Sequence, residues 1–555
     1  MSHRRVGHRR VGHPRVSRRR FLGLSAGTAV AGGAGWQVWG KRKPQAPPDD
    51  GWWAGELAHL LPTVDHHRFL IKSSFRSKPA ATPVLHVNNR TFPGQQTDSD
   101  GLFYRFDVDG LQPGTEYALQ LKHADGNALC DSWPLKTFPA PEHSAQSFRL
   151  LTYTCAGGPD TLYNYGFFNA YLPNPTRQRL FARALSFQPD AVVANGDHVY
   201  WDLKSSRFMG NSWRATRIAG KFDRSQPVLG SANEQVLKLA FGPQIAGLYG
   251  VRFRSVPMFF LQDDHDYGEN DEADARLRTF PADSFMLDLA RSTQSLYYPE
   301  LLANDQLPAA YKNSRGSSEN FGTLRFGKLF EGLLYDCRRY MTNELDPAQT
   351  AAESNFVPRD IEHWLCERSK NSPARHIAQM PSTPILWTAG KWAEWYPDLK
   401  LKDGSLGTAQ AKPYWPQGWQ AQHDRLLAAA VERSDRCPLF ISGDLHATGS
   451  GRILANRGTS YQHNPVYSIL SGAIGTGVLG WPSKFRGTKP KPASDLHTDV
   501  LVEPIEENGF SLLDFSDAGL AVSHFKWRPD EGDAAIDTLA PFARFDIAAR
   551  TDEIL

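Results

Sequence analysis

Four apolar runs in this chain break off into side chains that bind cations or carry protons. Residues 148–154 run into Cys155. Residues 191–194 run into Asn195-Gly196-Asp197-His198-Val199-Tyr200. Residues 259–261 run into Gln262-Asp263-Asp264-His265-Asp266, and residues 438–441 run into Ser442-Gly443-Asp444-Leu445-His446. Short apolar runs bounded by polar turns predict buried strands. Helical spacing marks 178–185, 360–365 and 423–428, and further strands are predicted at 333–335 and 385–387. Apolar strands alternating with helices predict an α/β domain, sheet layers flanked by helices, over residues 147–545. In such sheets ligands sit beyond the carboxyl ends of the strands. Residues 204–250 are mixed in pattern and are expected to form an excursion over the cleft. The tail alternates again: 510–515, a turn at 516–519, and 520–525 predict a hairpin packed on this domain.

Residues 51–140 carry a different pattern. Short β-forming runs, such as 67–71 and 102–106, are separated by Pro and Gly turns, which predicts a small β-sandwich of immunoglobulin or fibronectin type III kind. Gly110-Leu111-Gln112-Pro113-Gly114-Thr115-Glu116-Tyr117 is similar to the tyrosine corner of those domains, with Tyr117 at the corner; an ordinary hairpin is the alternative. No chemistry stands out there, so the module is expected to position its neighbour. Pro-rich stretches at 44–50 and 139–144 read as linkers.

Charge changes the picture at the N-terminus. Eleven Lys and Arg residues fall within 1–43, and no acid precedes Asp49. Removing those eleven charges from the net +3 leaves about −8 for the rest. Such a body is a poor nucleic-acid binder, whose affinity comes from neutralising phosphates, and suits a protein that holds cations. Within 1–43, Ser17-Arg18-Arg19-Arg20-Phe21-Leu22 precedes a weakly apolar stretch, 23–35. A basic segment, a short apolar stretch and small residues describe an export signal, and the twin arginines are similar to a Tat signal. The expected route is the Tat machinery. The expected location is periplasmic or secreted, or membrane-anchored if the segment is retained; no other membrane span is expected. Length and composition (555 residues, 41% hydrophobic, 22% charged) fit a soluble protein of more than one domain. The five cysteines are widely spaced without a CxxC pair, which excludes a disulfide scaffold and a zinc finger.

The strand ends carry the chemistry. Gly196 lets the backbone approach a ligand closely. Asp197 is a hard anionic donor able to bridge two cations, and Tyr200 returns to the same site if the loop opens a helical turn. Three carboxylates around His265 are costly unless cations or protons offset them. Asp444 and His446, as alternate residues at a strand end, are expected to face one site. Each motif alone also reads as a plain turn. Together they point to a dinuclear metal site that hydrolyses phosphate esters.

These residues resemble the PhoD-like alkaline phosphatase/phosphodiesterase family of the metallophosphoesterase superfamily, over roughly 147–522. Cys155, the Gly-Asp-x-x-Tyr of Gly196 to Tyr200, the Asp-Asp-His-Asp of Asp263 to Asp266, the Gly-Asp-x-His of Gly443 to His446 and the Asp-x-Arg of Asp336 to Arg338 carry the resemblance. It implies a metallophosphoesterase-like fold. It implies that Cys155, Asp197, Tyr200 and His446 hold one metal, with Asp197 bridging, and that Asp264 and Asp444 face a second. Fe3+ and Ca2+, or another divalent ion, are the implied cofactors. It implies a hydroxide activated by two metals that attacks phosphorus, with His265 protonating the leaving oxygen. Asn270 and Arg338 are the implied substrate-binding residues. His198 and Trp201, where the family carries other residues, are expected to wall the cleft. The middle histidine ligand of the wider superfamily has no counterpart, since His363, His376 and His423 fall in helix-like stretches. The expected function is an exported metal-dependent phosphate ester hydrolase. A phospholipase-type or teichoic-type phosphodiesterase and a non-catalytic metal-binding envelope protein are the alternatives.

Overall fold

Alternation organises the first part of the chain into two four-stranded antiparallel sheets. One runs in the order Leu57–Val64, Phe69–Phe75, Phe103–Val108, Gln95–Gln96; the other runs Arg90–Pro93, Val84–Val87, Glu116–Lys122, Trp133–Lys136. In Glu116–Lys122 every second residue is buried. Those residues, Tyr117, Leu119 and Leu121, share a core with Phe69, Ile71, Phe106 and Val108 of the other sheet. Phe69–Phe75 breaks the rule, because all seven residues are buried. Its second face lies under the helix Ser284–Tyr297. There Lys72 Nζ donates to the Ser295 carbonyl at 2.9 Å, and His59 Nε2 meets the Tyr297 carbonyl at 2.9 Å. The Tyr117 hydroxyl accepts from the Gln112 amide at 2.7 Å.

The structure is a computed structural model that describes residues 44–159, 170–204, 212–274, 276–343, 353–410 and 412–550. The Tat-type segment 1–43 lies outside the described residues. Among those described, no helix is long and apolar enough to cross a membrane.

Two larger sheets make up the rest, a mixed α/β arrangement rich in sheet. The first runs Met258–Leu261, Ala191–Asn195, Ser147–Tyr153, Ser511–Ser516, Gly519–His524, Ala543–Ala548. Its first three strands are parallel, and the tail adds antiparallel strands. The second runs Phe321–Phe326, Phe330–Tyr335, His376–Pro381, Leu439–Ser442, Val466–Ser471, Thr448–Asn456, with Leu496–Ile505 also paired to Thr448–Asn456. The strands from Phe330–Tyr335 through Val466–Ser471 are parallel.

Phe148, Val193 and Phe259 of the first sheet share a core with Phe330, Met380 and Ile441 of the second, so the sheets pack face to face. Strand periodicity sends the alternate residues Leu333, Phe440 and Leu470 to the far side. They meet Trp364, Leu365, Leu426 and Leu427 of the helices Arg359–Asn371 and Gln417–Val431. Burial on both faces explains why these strands read as continuous apolar runs.

Two expectations change. His376 opens a strand, not a helix. The strand expected at 385–387 shrinks to Trp387–Thr388, paired with Lys491–Pro492.

Candidate metal centre and active site

The ends of two neighbouring strands of the first sheet and one strand of the second are stitched together. Thr154 Oγ1 donates to the Asn195 carbonyl at 2.6 Å and accepts from the Asp444 amide at 3.3 Å. Asn195 Nδ2 donates to the Ile441 carbonyl at 3.3 Å. This spacing demands Gly443: a Cβ there would lie 2.3 Å from the Asn195 carbonyl oxygen and 2.4 Å from Thr154 Oγ1. Gly196, at φ +80°, sits where a Cβ would come 2.5 Å from that of Asp263. Beyond the glycines the backbone turns left-handed at Cys155 (φ 51°), Asp197 (59°), Asp444 (68°) and His446 (48°). These are four of the nine non-glycine residues with positive φ among the described residues, so backbone strain of about 1–3 kcal/mol each gathers at one place.

Those turns aim four unlike donors at one point. Asp197 Oδ2 lies 3.4 Å from Cys155 Sγ, 2.9 Å from the Tyr200 hydroxyl and 3.9 Å from His446 Nε2. The Tyr200 hydroxyl, which donates to Asp197 Oδ2, lies 3.0 Å from His446 Nε2. The Gly480 carbonyl, an acceptor only, lies 2.9 Å from His446 Nδ1. It fixes the ring proton on Nδ1 and turns the Nε2 lone pair into the site. Burial and the Asp197 carboxylate push the Cys155 thiol and the Tyr200 phenol well above their usual ranges, so a nearby cation is what would free both protons. Asp197 Oδ1 is buried without a hydrogen-bond partner. Thiol, phenol, carboxylate and imidazole around an orphaned oxygen fit a bound metal ion.

The acidic stretch forms a tight turn, Asp264–Tyr267, capped by Asp263. The Asp266 carboxylate accepts from the amides of Asp197 (2.8 Å), His198 (2.8 Å) and Asp263 (2.9 Å), tying this loop to the next. His265 packs at a tilt against Tyr200, 4.2 Å between centroids, and its Nδ1 pairs with Asp202 Oδ1 at 2.7 Å. Burial disfavours its charge, but Asp202, Asp264 and Asp197 outweigh burial and raise its pKa to about 10.

Two cations lie among the remaining carboxylates. Arg338 reaches Asp263 (2.7 Å), Asp271 (2.8 Å) and Asp444 (3.5 Å). Lys391 Nζ sits 2.7 Å from Asp264 Oδ2, 2.7 Å from Asp444 Oδ1 and 3.3 Å from Asp271 Oδ2. Burial works against the ammonium, but Asp264 and Asp444 hold its pKa well above the ordinary lysine value. A pocket opens over this centre. Tyr200, His265, Asn270, Lys391 and His446 line it on one side, and Leu445, Leu479, Pro482 and Phe485 form an apolar wall ending at Arg486.

Residues 150–519 match the PhoD-like phosphatase family. The chain belongs to the PhoD-like phosphatases. A solved structure described as PhoD shares the fold, with a TM-score of 0.59 over 91% of this chain and 92% of that chain at 13% identity. The type III pullulan hydrolase from Thermococcus kodakarensis aligns at a TM-score of only 0.13, with 10% identity over 70% of this chain and 60% of that chain. No curated protein matches the chain. This family member is therefore a phosphoric ester hydrolase of a metal-dependent family.

In this PhoD-like phosphatase Cys155, Asp197, Tyr200 and His446 come together, and Asp264 and Asp444 lie beside them. Asn270 lines the pocket, whereas Arg338 is fully buried among carboxylates and does not line it. His198 is no cleft wall: it packs on Phe260 and Tyr298 and meets the Leu261 carbonyl at 2.7 Å. Trp201 is buried away from the pocket as well. The sequence assigns no role to Asp202, Asp271 or Lys391, and Asp266 counts only as part of the acidic stretch. Asp271 lies just beyond that stretch, which is the one signal for it. Lys391, one lysine between Gly390 and Trp392, gave no signal.

Proposed function

We propose that this phosphatase cleaves phosphate esters at a metal held by Cys155, Asp197, Tyr200 and His446, with His265 as the proton donor. The observation that carries the reading is the convergence of Cys155, Tyr200 and His446, three unlike donors, on Asp197 Oδ2 at the floor of an open pocket. A metal bound there supplies Lewis acidity and a water acidified enough to attack phosphorus; thiolate and phenolate favour ferric iron. Asp202 accepts from His265 Nδ1 and, with Asp264 and Asp197, favours the doubly protonated ring, whose Nε2 then carries the proton for the leaving oxygen. A cation at Asp197 would draw the His265 pKa down from about 10 towards the working pH, where a general acid is most effective. Asn270 and Lys391 offer N–H donors to the phosphoryl oxygens. The apolar wall favours an ester with an apolar alcohol, and Arg486 suits a further anionic group. That supports a phosphodiesterase or phospholipase-type activity as the second reading. Export through the Tat route rests on Arg18 and Arg19. The two N-terminal sheets, with Tyr117 bonded back to Gln112, support an immunoglobulin or fibronectin type III-like positioning module.

The test measures metal content together with hydrolysis of a chromogenic monoester and diester, with and without chelator. Chelation should abolish both activities and metal should restore them, with the diester favoured. Full activity in metal-free protein, or inactivity of metal-loaded protein on both esters, rejects the reading.

A further inference from the structure

The resemblance places a second metal at Asp264 and Asp444, yet that position already holds a cation. We infer that the Lys391 ammonium replaces the second metal, so that this enzyme carries one metal ion per chain and a built-in positive charge beside it. The inference rests on the reading of the Cys155 centre as a metal site only for the count of one.

Lys391 Nζ lies 2.7 Å from Asp264 Oδ2 and 2.7 Å from Asp444 Oδ1. A calcium ion needs six to eight oxygens at about 2.3–2.6 Å, and to use these two it would have to share them with the ammonium. Two cations on the same oxygens repel strongly where water is scarce. Arg338 is already committed to Asp263 and Asp271, so Lys391 is the cation that faces Asp264.

The lysine is also held in place by its loop. Glu394 accepts from the Ala389 amide at 2.8 Å and pairs with Lys412 at 2.7 Å. Arg338 Nη1 donates to the Ala393 carbonyl at 2.8 Å. Left-handed turns at Gly390 (φ 71°) and Ala393 (φ 51°) bracket Lys391. A side chain carried on so braced a loop is a fixture of the site. Because Lys391 also lines the pocket, its charge can face a bound phosphate directly.

The test is metal stoichiometry by elemental analysis and Ca2+ binding by equilibrium dialysis, on the wild type and on Lys391→Met. The wild type should hold one metal equivalent and take up no Ca2+ at micromolar concentration. Lys391→Met should gain one equivalent of Ca2+, and its melting temperature should rise with added Ca2+ while that of the wild type does not. Should Lys391→Met fail to fold, Lys391→Gln, whose amide can still bond one aspartate, is read by the same two measurements. Tight Ca2+ binding by the wild type, or no gain in a folded variant, overturns the inference. Iron-free wild type with Ca2+ uptake confined to the variant would spare it while rejecting the Cys155 centre. Iron present with Ca2+ bound by the wild type would do the reverse.

Discussion

At the scale of single residues, position decides what a side chain is worth. Cys155 and Cys130 are both buried thiols whose pKa burial pushes up, Cys130 to about 11. Only Cys155 faces a carboxylate, a phenol and an imidazole. Cys155→Ala should therefore strip the metal and most activity, while Cys130→Ala should change neither; elemental analysis of the two variants decides it. A native protein with ferric iron on thiolate or phenolate should also be coloured, and Cys155→Ala should bleach it. His265→Ala should slow esters with poor leaving groups by about 10²–10⁴-fold and nitrophenyl esters far less, the mark of a lost general acid. Equal losses on both would remove His265 from that role. The residue types at the strand ends were legible because each ends an apolar run. Depth was not legible, so Arg338 read as a substrate ligand when it lies buried behind the site. Asp444 and His446 do come to one centre, but not as alternate residues of a strand. Strand alternation does not orient them; the turns at φ 68° and 48° do.

At the scale of elements, the periodic pattern did most of the work. Strands buried on both faces announce themselves as apolar runs, and the hairpin showed as alternation on either side of its turn. What stayed hidden was the neighbour. Ser511–Ser516 lies directly against Ser147–Tyr153, with Leu512 opposite Leu151. Truncation at Asn508 should leave the strand before Cys155 with a bare edge and apolar side chains uncovered, and so give insoluble protein. Soluble, active truncated protein would show the tail to be dispensable. The loop that presents Lys391 has no periodic signature, since its geometry comes from Glu394 within it and from Arg338 and Lys412, which lie apart in sequence.

At the scale of the molecule, the N-terminal sheets are joined to the catalytic body through buried polar contacts, and one of them titrates. Burial, and Lys72 secondarily, lower the pKa of His59 from 6.5 to about 4. The unfolded chain thus binds the proton more readily, and stability rises with pH. The contribution is complete above pH 6.5 and disappears as pH falls towards 4. His59→Gln should reduce the loss of stability between pH 6.5 and 4 in urea denaturation; an unchanged loss would clear His59 of the acid response. The tail strand also has a temporal meaning. Arg149 and its partner Asp514, paired across the first sheet, stand 365 residues apart. A ribosome must pass residue 511 before the strand leading to Cys155 gains its second neighbour, and contacts so distant form slowly. The strand end that carries Cys155 is thus flanked on both sides only late in synthesis. A cation at the proposed Cys155 centre would then sit behind a sheet that closes late, and a translocation route that carries folded proteins would leave it in place.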